Sequence, residues 1–200
     1  MRINSVNCFH TFRSHIERHT KLSEYESAYI SSFFSIKKVW KKELLLEPGI
    51  ICRYESFIIS GLFQTSYIDE LGKIHTLNFP HEDWWVGDFK SFSNRVPTEM
   101  IIEALEDSVL LEISKSSLDE LLAKSQPFAK YFRALSENAS IAANDRIVNQ
   151  LSKSAEQRYE LFCMKYPNVL QRLSQKRIAS FLGVSPEYFN QIKKKKIINT

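Results

Sequence analysis

The sequence predicts an α+β protein: an N-terminal antiparallel β-roll (jelly roll) with flanking helices, then a long dimerisation helix, then a C-terminal helix-turn-helix of the winged kind. Three observations predict it. Short β-prone runs separated by turn signals fill the stretch from Ile36 to Ile113, as in antiparallel barrels and jelly rolls. One helical pattern runs from Pro127 to about Leu151. The stretch SQKRIASFLGVSPEYFNQIKKKK, Ser174 to Lys196, scans as two short helices about a tight turn. The expected boundaries are 1–114 for the roll, 115–152 for the connecting and dimerisation helices, and 153–200 for the helix-turn-helix.

The elements follow in order. Asn7 to about Phe34 reads as helix with a break near Thr20–Ser23, its apolar faces supplied by Phe9, Phe12, Ile16, Tyr25, Tyr29, Ile30 and Phe33. Strand-like runs come at Val39–Trp40, Leu44–Leu46, Ile50–Tyr54, Phe57–Phe63, Thr65–Ile68, Ile74–Phe79, Met100–Leu105 and Val109–Ile113. Glu47-Pro48-Gly49, Ser60-Gly61 and Leu71-Gly72 punctuate them. Ser116 to Lys124 is helical. In the long helix, Phe128, Phe132, Leu135, Ala139 and Ala142 recur at alternating four- and three-residue steps. Such a narrow stripe is a coiled-coil-like seam, expected to pair two copies. The alternative is one helix packed on its own roll. The C-terminal module begins near Ser154, and its first helix stops before Pro167.

In that module Gly183 sits where a helix ends in the left-handed region, which glycine enters without a Cβ penalty. Ser185 is a ready N-cap, Pro186 fits the first helical position, and Glu187 suits the positive end of the helix dipole. Phe189 and Ile192 anchor the second helix and leave Tyr188, Asn190 and Gln191 facing outward. A capped helix with polar side chains at its start and lysines at its end suits a DNA major groove. The charge agrees. The chain carries +4 overall, yet residues 154–200 carry +6 and residues 1–153 carry −2. Positive charge concentrated in one terminal segment suits a module that neutralises phosphates.

Composition excludes other classes. The chain is 44% hydrophobic with fourteen phenylalanines and three tryptophans, enough for a real core. No apolar run reaches membrane-spanning length and the N-terminus lacks a signal-peptide core, so a cytoplasmic protein with no membrane partner is expected. Cys8, Cys52 and Cys163 are too few and too scattered for an iron–sulfur or zinc site, and read as idle thiols. His10, His15 and His19 read as an exposed helical face rather than a metal site. His75 is a haem-ligand candidate by residue type alone. No catalytic constellation appears, so no enzyme is expected.

The chain resembles the Crp/Fnr family of bacterial transcription regulators. LLLEPGIICRYESFIISGLFQT is similar to the strands and glycines of that family's cyclic-nucleotide-binding β-roll. IIEALEDSVLLEIS followed by SSLDELL is similar to its end, and SAEQRYELFCMKYPNVLQRLSQKRIASFLGVSPEYFNQIKK to the DNA-binding segment of short members. The resemblance implies a homodimer acting on double-stranded DNA, with RNA polymerase as a further partner. It implies that a ligand in the roll repositions the long helices and sets two recognition helices about 34 Å apart. The alternative is a small-molecule-binding roll whose C-terminal helices contact proteins rather than DNA.

The same resemblance places an effector pocket at Gly87, Asp88, Pro97 and Thr98, with Asn144 and Asp145 near the base. The family's phosphate-pairing arginine falls here on Pro97, and Arg95 lies two residues earlier. Loss of a bidentate pair to phosphate removes about 1.5–3 kcal/mol or more, roughly one to two decades of affinity. Cyclic AMP is therefore not expected as a cofactor. Either another small effector binds, or Trp84, Trp85, Phe89 and Phe92 close the pocket. On the DNA side, Ser185, Glu187, Tyr188, Asn190 and Gln191 are base-reading candidates. Gln175, Lys176, Arg177 and Lys193, Lys194, Lys195 and Lys196 are phosphate candidates. Short members carry Ser-Arg where Asn190-Gln191 stands. Arginine favours guanine whereas Asn and Gln favour adenine edges. In vitro selection with the full chain is expected to return a consensus depending less on G·C pairs than the family average; a G-rich consensus contradicts the assignment.

Overall fold

A computed structural model describes residues 5–198, with side chains through Lys194. In chain order the elements are α1 (Ser5–Glu17), α2 (Glu24–Ser31), β1 (Ser35–Val39), β2 (Leu44–Leu46), β3 (Tyr54–Ser60), β4 (Phe63–Ile68), β5 (Ile74–Asn78), β6 (Trp85–Val86), α3 (Phe89–Asn94), β7 (Met100–Ala104), β8 (Ser108–Ser114), α4 (Lys115–Lys124), α5 (Gln126–Ser152), α6 (Ala155–Lys165), α7 (Pro167–Leu170), α8 (Gln175–Leu182) and α9 (Pro186–Ile198). The α+β architecture follows the expectation. The strands form two four-stranded antiparallel sheets, ordered β1-β8-β3-β6 and β2-β7-β4-β5.

Three departures have local causes. Ile50–Arg53 is a loop carrying only a bridge from Ile51 to Pro97, because Gly49 turns the chain at φ 87°, and the strand starts at Tyr54. The apolar run from Phe57 to Phe63 is two strands, split at Gly61. Trp85 and Val86 form a short strand against Phe57 and Ser56, followed by α3, which Asp88 caps. Among the described residues no strand follows α9, so they contain no wing.

The main core lies where α1 and the start of α5 meet the β3–β8 sheet. Phe12, Phe57, Phe128 and Tyr131 are fully buried there, and the Phe12 ring sits 4.8 Å from both Phe34 and Phe57. The Tyr131 hydroxyl accepts from Trp85 Nε1 at 3.0 Å and pairs with His15 Nδ1 at 2.9 Å, so the polar atoms inside this aromatic cluster are satisfied. His15 is thus a buried core residue, correcting the exposed-face reading of the three histidines; burial lowers its pKa to about 4, leaving the ring neutral at pH 7. Among the described residues no three histidines, cysteines or carboxylates group as a metal site would need.

Phe12→Ala is expected to cost about 3–5 kcal/mol in denaturant unfolding, the usual range for deleting a fully buried aromatic ring. A loss under about 1 kcal/mol would mean that the cluster is not the anchor described.

Candidate functional site

The C-terminal module is built from its caps outward. The Ser174 hydroxyl accepts from the Arg177 N–H to start α8. Gly183 ends it in the left-handed region at φ 71°, with Val184 N–H bonded to Ala179 O at 3.0 Å and Gly183 N–H to Ser180 O at 3.1 Å, the paired closure that glycine permits. The Ser185 hydroxyl then accepts from the Tyr188 N–H at 3.2 Å to start α9. Ile178, Ala179 and Leu182 of α8 and Phe189 and Ile192 of α9 pack with Tyr159 of α6 in one small core. That burial turns Ser185, Glu187, Tyr188, Asn190 and Gln191 outward, all exposed. The Glu187 carboxyl is held below its usual range by its own backbone N–H and by Ser185. The Tyr188 hydroxyl donates to Glu156 Oε1 at 2.9 Å and so is tied to α6.

Gln175, Lys176 and Lys194 are exposed and Lys193 is half-buried. The side chains of Lys195 and Lys196 lie outside the described residues. Arg177 departs from the phosphate role expected of it. Its Nη2 reaches both carboxylate oxygens of Glu103 on β7 at 3.1 Å, and its Nη1 donates to Gln64 Oε1 on β4. The reason is that α8 docks on the outer face of the β2-β7-β4-β5 sheet. There Ser180 Oγ accepts from the Thr76 hydroxyl at 2.9 Å. Arg172, just before α8, makes four hydrogen bonds of 2.6–3.0 Å to Glu82 and Glu106, and these two carboxylates raise its pKa, Glu106 most. Arg172 and Arg177 thus clasp the module to the roll. A sequence cannot announce this, because both arginines belong to a basic segment whose simplest reading is phosphate contact.

At the expected effector cassette the polar groups are turned on one another. Asp88 Oδ1 accepts from the Lys90 and Ser91 N–H groups at 3.1 and 3.2 Å, and Oδ2 accepts from the Thr98 hydroxyl at 2.6 Å. The Ser91 hydroxyl accepts from the Cys52 N–H at 2.9 Å and donates to Val96 O at 2.6 Å. Pro97 is exposed, and Arg95, at φ 57°, lies on a shallow outer hollow with Ile50, Ile51, Arg53, Tyr54 and Ser114.

Glu55 carries no signal in the sequence that sets it apart. It is buried on β3 directly over Gly87, where a Cβ would lie 2.5 Å from Glu55 Oε1, so glycine is required by this approach. That oxygen has no hydrogen-bond partner, and burial together with the neighbouring Asp88 pushes the carboxyl pKa up to about 8. Two carboxyl groups, Asp88 and Glu55, thus lie at this cassette, while Arg95 lies on the outer hollow. Asn144, expected near the pocket base, is exposed on the opposite face of α5 and does not meet the cassette.

The stripe expected to pair two copies is divided between core and surface, Ala139 and Ala142 being exposed. Phe128 is fully buried, Phe132 and Leu135 pack against the core, and Ala139 and Ala142 line a cavity within the same chain. The face turned to the outside carries Ile141, Val148 and Leu151, exposed by 59%, 58% and 84%, with Asn144 among them. The two stripes share the same 3.5-residue spacing half a turn apart, and the aromatic half of the first, Phe128, Phe132 and Leu135, packs in or against the core.

Residues 36–125 match the family model of the cyclic nucleotide-binding domain. Solved structures align with nearly the whole chain. CLP, a c-di-GMP responsive global regulator of Xanthomonas campestris, is 16% identical at TM-score 0.69, over 86% of this chain and 90% of that one. The fold is that of the Crp/Fnr regulators. FixK2 of Bradyrhizobium japonicum gives 16% and 0.69 over 83% and 85% of the two chains. A Crp/Fnr family regulator of Eubacterium rectale gives 19% and 0.67 over 89% and 85%. No curated protein matches the chain significantly by sequence. In this Crp/Fnr fold, the matched domain contains the self-paired cassette just described. Among the described residues no helix is long and apolar enough to cross a membrane.

The Glu55 carboxyl has a folded pKa raised above its unfolded value, so its contribution is fully present below about 4.5 and lost as pH rises through about 8. Thermal unfolding of Glu55→Gln should therefore gain on the natural chain as pH rises from 5 to 8 and then level off. Parallel curves across that range would show that Glu55 does not titrate as described.

Proposed function

We propose that the chain is a homodimeric, sequence-specific DNA-binding transcription regulator whose cyclic-nucleotide cassette no longer takes a cyclic phosphate. The observation that carries this reading is the capped α9, with Ser185, Glu187, Asn190 and Gln191 exposed on a segment of +6 net charge. The Crp/Fnr fold supports it. Lys176 and the lysines from Lys193 onward supply phosphate contacts, and Asn190 and Gln191 read base edges.

The outer stripe of α5 supports the dimer. Ile141, Val148 and Leu151 pair across a two-fold axis, with Asn144 at one seam position fixing the register. The Arg172 and Arg177 clasp then sets where each α9 sits relative to that axis. An effector shifts this pose only by binding one arrangement better than the other. Contact with RNA polymerase is the partner expected of such a regulator. The clasp also favours a second reading, in which the C-terminal helices serve contacts within and between proteins, since it removes one cation from the DNA side.

Fluorescence anisotropy with the chain's own upstream DNA tests both. The proposal predicts retained binding that falls steeply with salt. Leu151→Glu, at an exposed position, should yield monomers in sedimentation and weaken DNA binding at least about tenfold while leaving the circular dichroism unchanged. Salt-insensitive binding, or none at low salt, favours the second reading.

A further inference from the structure

Between β5, the segment Trp84–Trp85, the middle of α5 and the helix-turn-helix module lies a cavity of about 440 Å3 that neither the cassette nor the DNA surface uses. Phe79, Trp84, Phe162, Tyr166 and Phe181 supply aromatic wall among a mixed lining that also includes Lys165. Two arginines, Arg146 and Arg158, line the cavity. Arg146 of α5 lies over the Phe181 ring, 4.9 Å from its centroid, and Nη2 donates to Thr76 O at 3.0 Å. Arg158 of α6 donates to Lys153 O at 2.7 Å and Leu182 O at 2.8 Å, and its buried Nε has no partner.

Neither guanidinium has a carboxylate within 4.0 Å among the described residues; Asp145, also on the lining, is paired with neither. Arg172 and Arg177 of the same module both have theirs. Cations withdrawn from water and satisfied only by carbonyl oxygens are stabilised by any anion that reaches them. Flat aromatic walls recognise a flat apolar body. The volume falls in the range of small-molecule sites.

We propose that this cavity binds a small aromatic carboxylate, its ring between Trp84, Phe162 and Phe181 and its anionic group at Arg146 and Arg158. The walls come from the roll, from α5 and from the module, so the ligand ties all three together and favours the docked pose of α8 over any undocked one. The site stands whether or not α9 reads DNA. It also lies on the face of α5 opposite Ile141, Val148 and Leu151, so a partner seated on that stripe leaves it open.

Isothermal calorimetry with benzoate, 2-naphthoate and indole-3-acetate tests the site on the full chain, with 2-naphthalenemethanol as the neutral isostere. At least one carboxylate should bind saturably at one per chain, with the alcohol about tenfold weaker or worse. Arg146→Gln should weaken the acid by about tenfold or more and leave the alcohol unchanged. Ala142→Trp, which fills the cavity from an exposed helical position, should abolish both without lowering the unfolding temperature. Absence of binding by all three acids at millimolar concentration overturns the proposal. So does equal affinity for acid and alcohol, or binding undiminished by Ala142→Trp.

Discussion

The rotational phase of α5 governs the rest of the molecule. Phe128 and Tyr131 enter the same aromatic core as Phe12 and Phe57, and the Tyr131 hydroxyl is held by both Trp85 and His15. A helix anchored by two fully buried rings and a satisfied hydroxyl cannot turn about its axis without exposing all of them. From that anchor the helix carries the phase outward for five more turns. Ala142 and Arg146 line the cavity between roll and module, and Ile141, Val148 and Leu151 lie on the other side of the helix. One short segment of core thereby fixes both the face available to a partner and the wall available to a ligand.

The second constraint is electrostatic and sits at the far end of the same helix. The module reaches the roll through Arg172, held by Glu82 and Glu106, and Arg177, held by Glu103 and Gln64. Gln64 is fully employed: while its carbonyl takes Arg177, its amide donates to Ser66 and Thr76 hydroxyls. These are half-buried, multiply bonded contacts, stronger than isolated surface pairs and weaker than a core. Beneath them, Phe79, Phe162 and Phe181 form a small apolar cluster with Leu62 and Val169. An interface of this mixed kind suits an element that has one preferred seat and can leave it.

Much of the fold was legible because its signals are local. The break near Thr20–Ser23, the αL turn at Gly183, the start of the module near Ser154, the cap at Ser185 and the run from Pro127 into α5 each follow from a few neighbouring residues. What escaped depends on contacts between residues distant in sequence. The strand at Trp85–Val86 exists only by pairing with β3. Glu55 looks like any polar position on an alternating strand until it is placed over Gly87. Arg177 looks like a phosphate ligand until Glu103 is brought beside it. Which side of α5 meets the core was undecidable by period alone, because two stripes keep the same spacing; the packing of Phe128, Phe132 and Leu135 shows it.

The most direct measurement is oxidative cross-linking of two single variants, Asn144→Cys and Ala142→Cys, each in a background with the three native cysteines replaced by serine or alanine. Disulfides demand Cα atoms roughly 4.4–6.8 Å apart, so the reaction reports which face of α5 meets its counterpart. The account predicts rapid covalent dimers from Asn144→Cys and none from Ala142→Cys. Dimers formed through Ala142→Cys, with Asn144→Cys unreactive, would contradict the helix phase on which everything else rests.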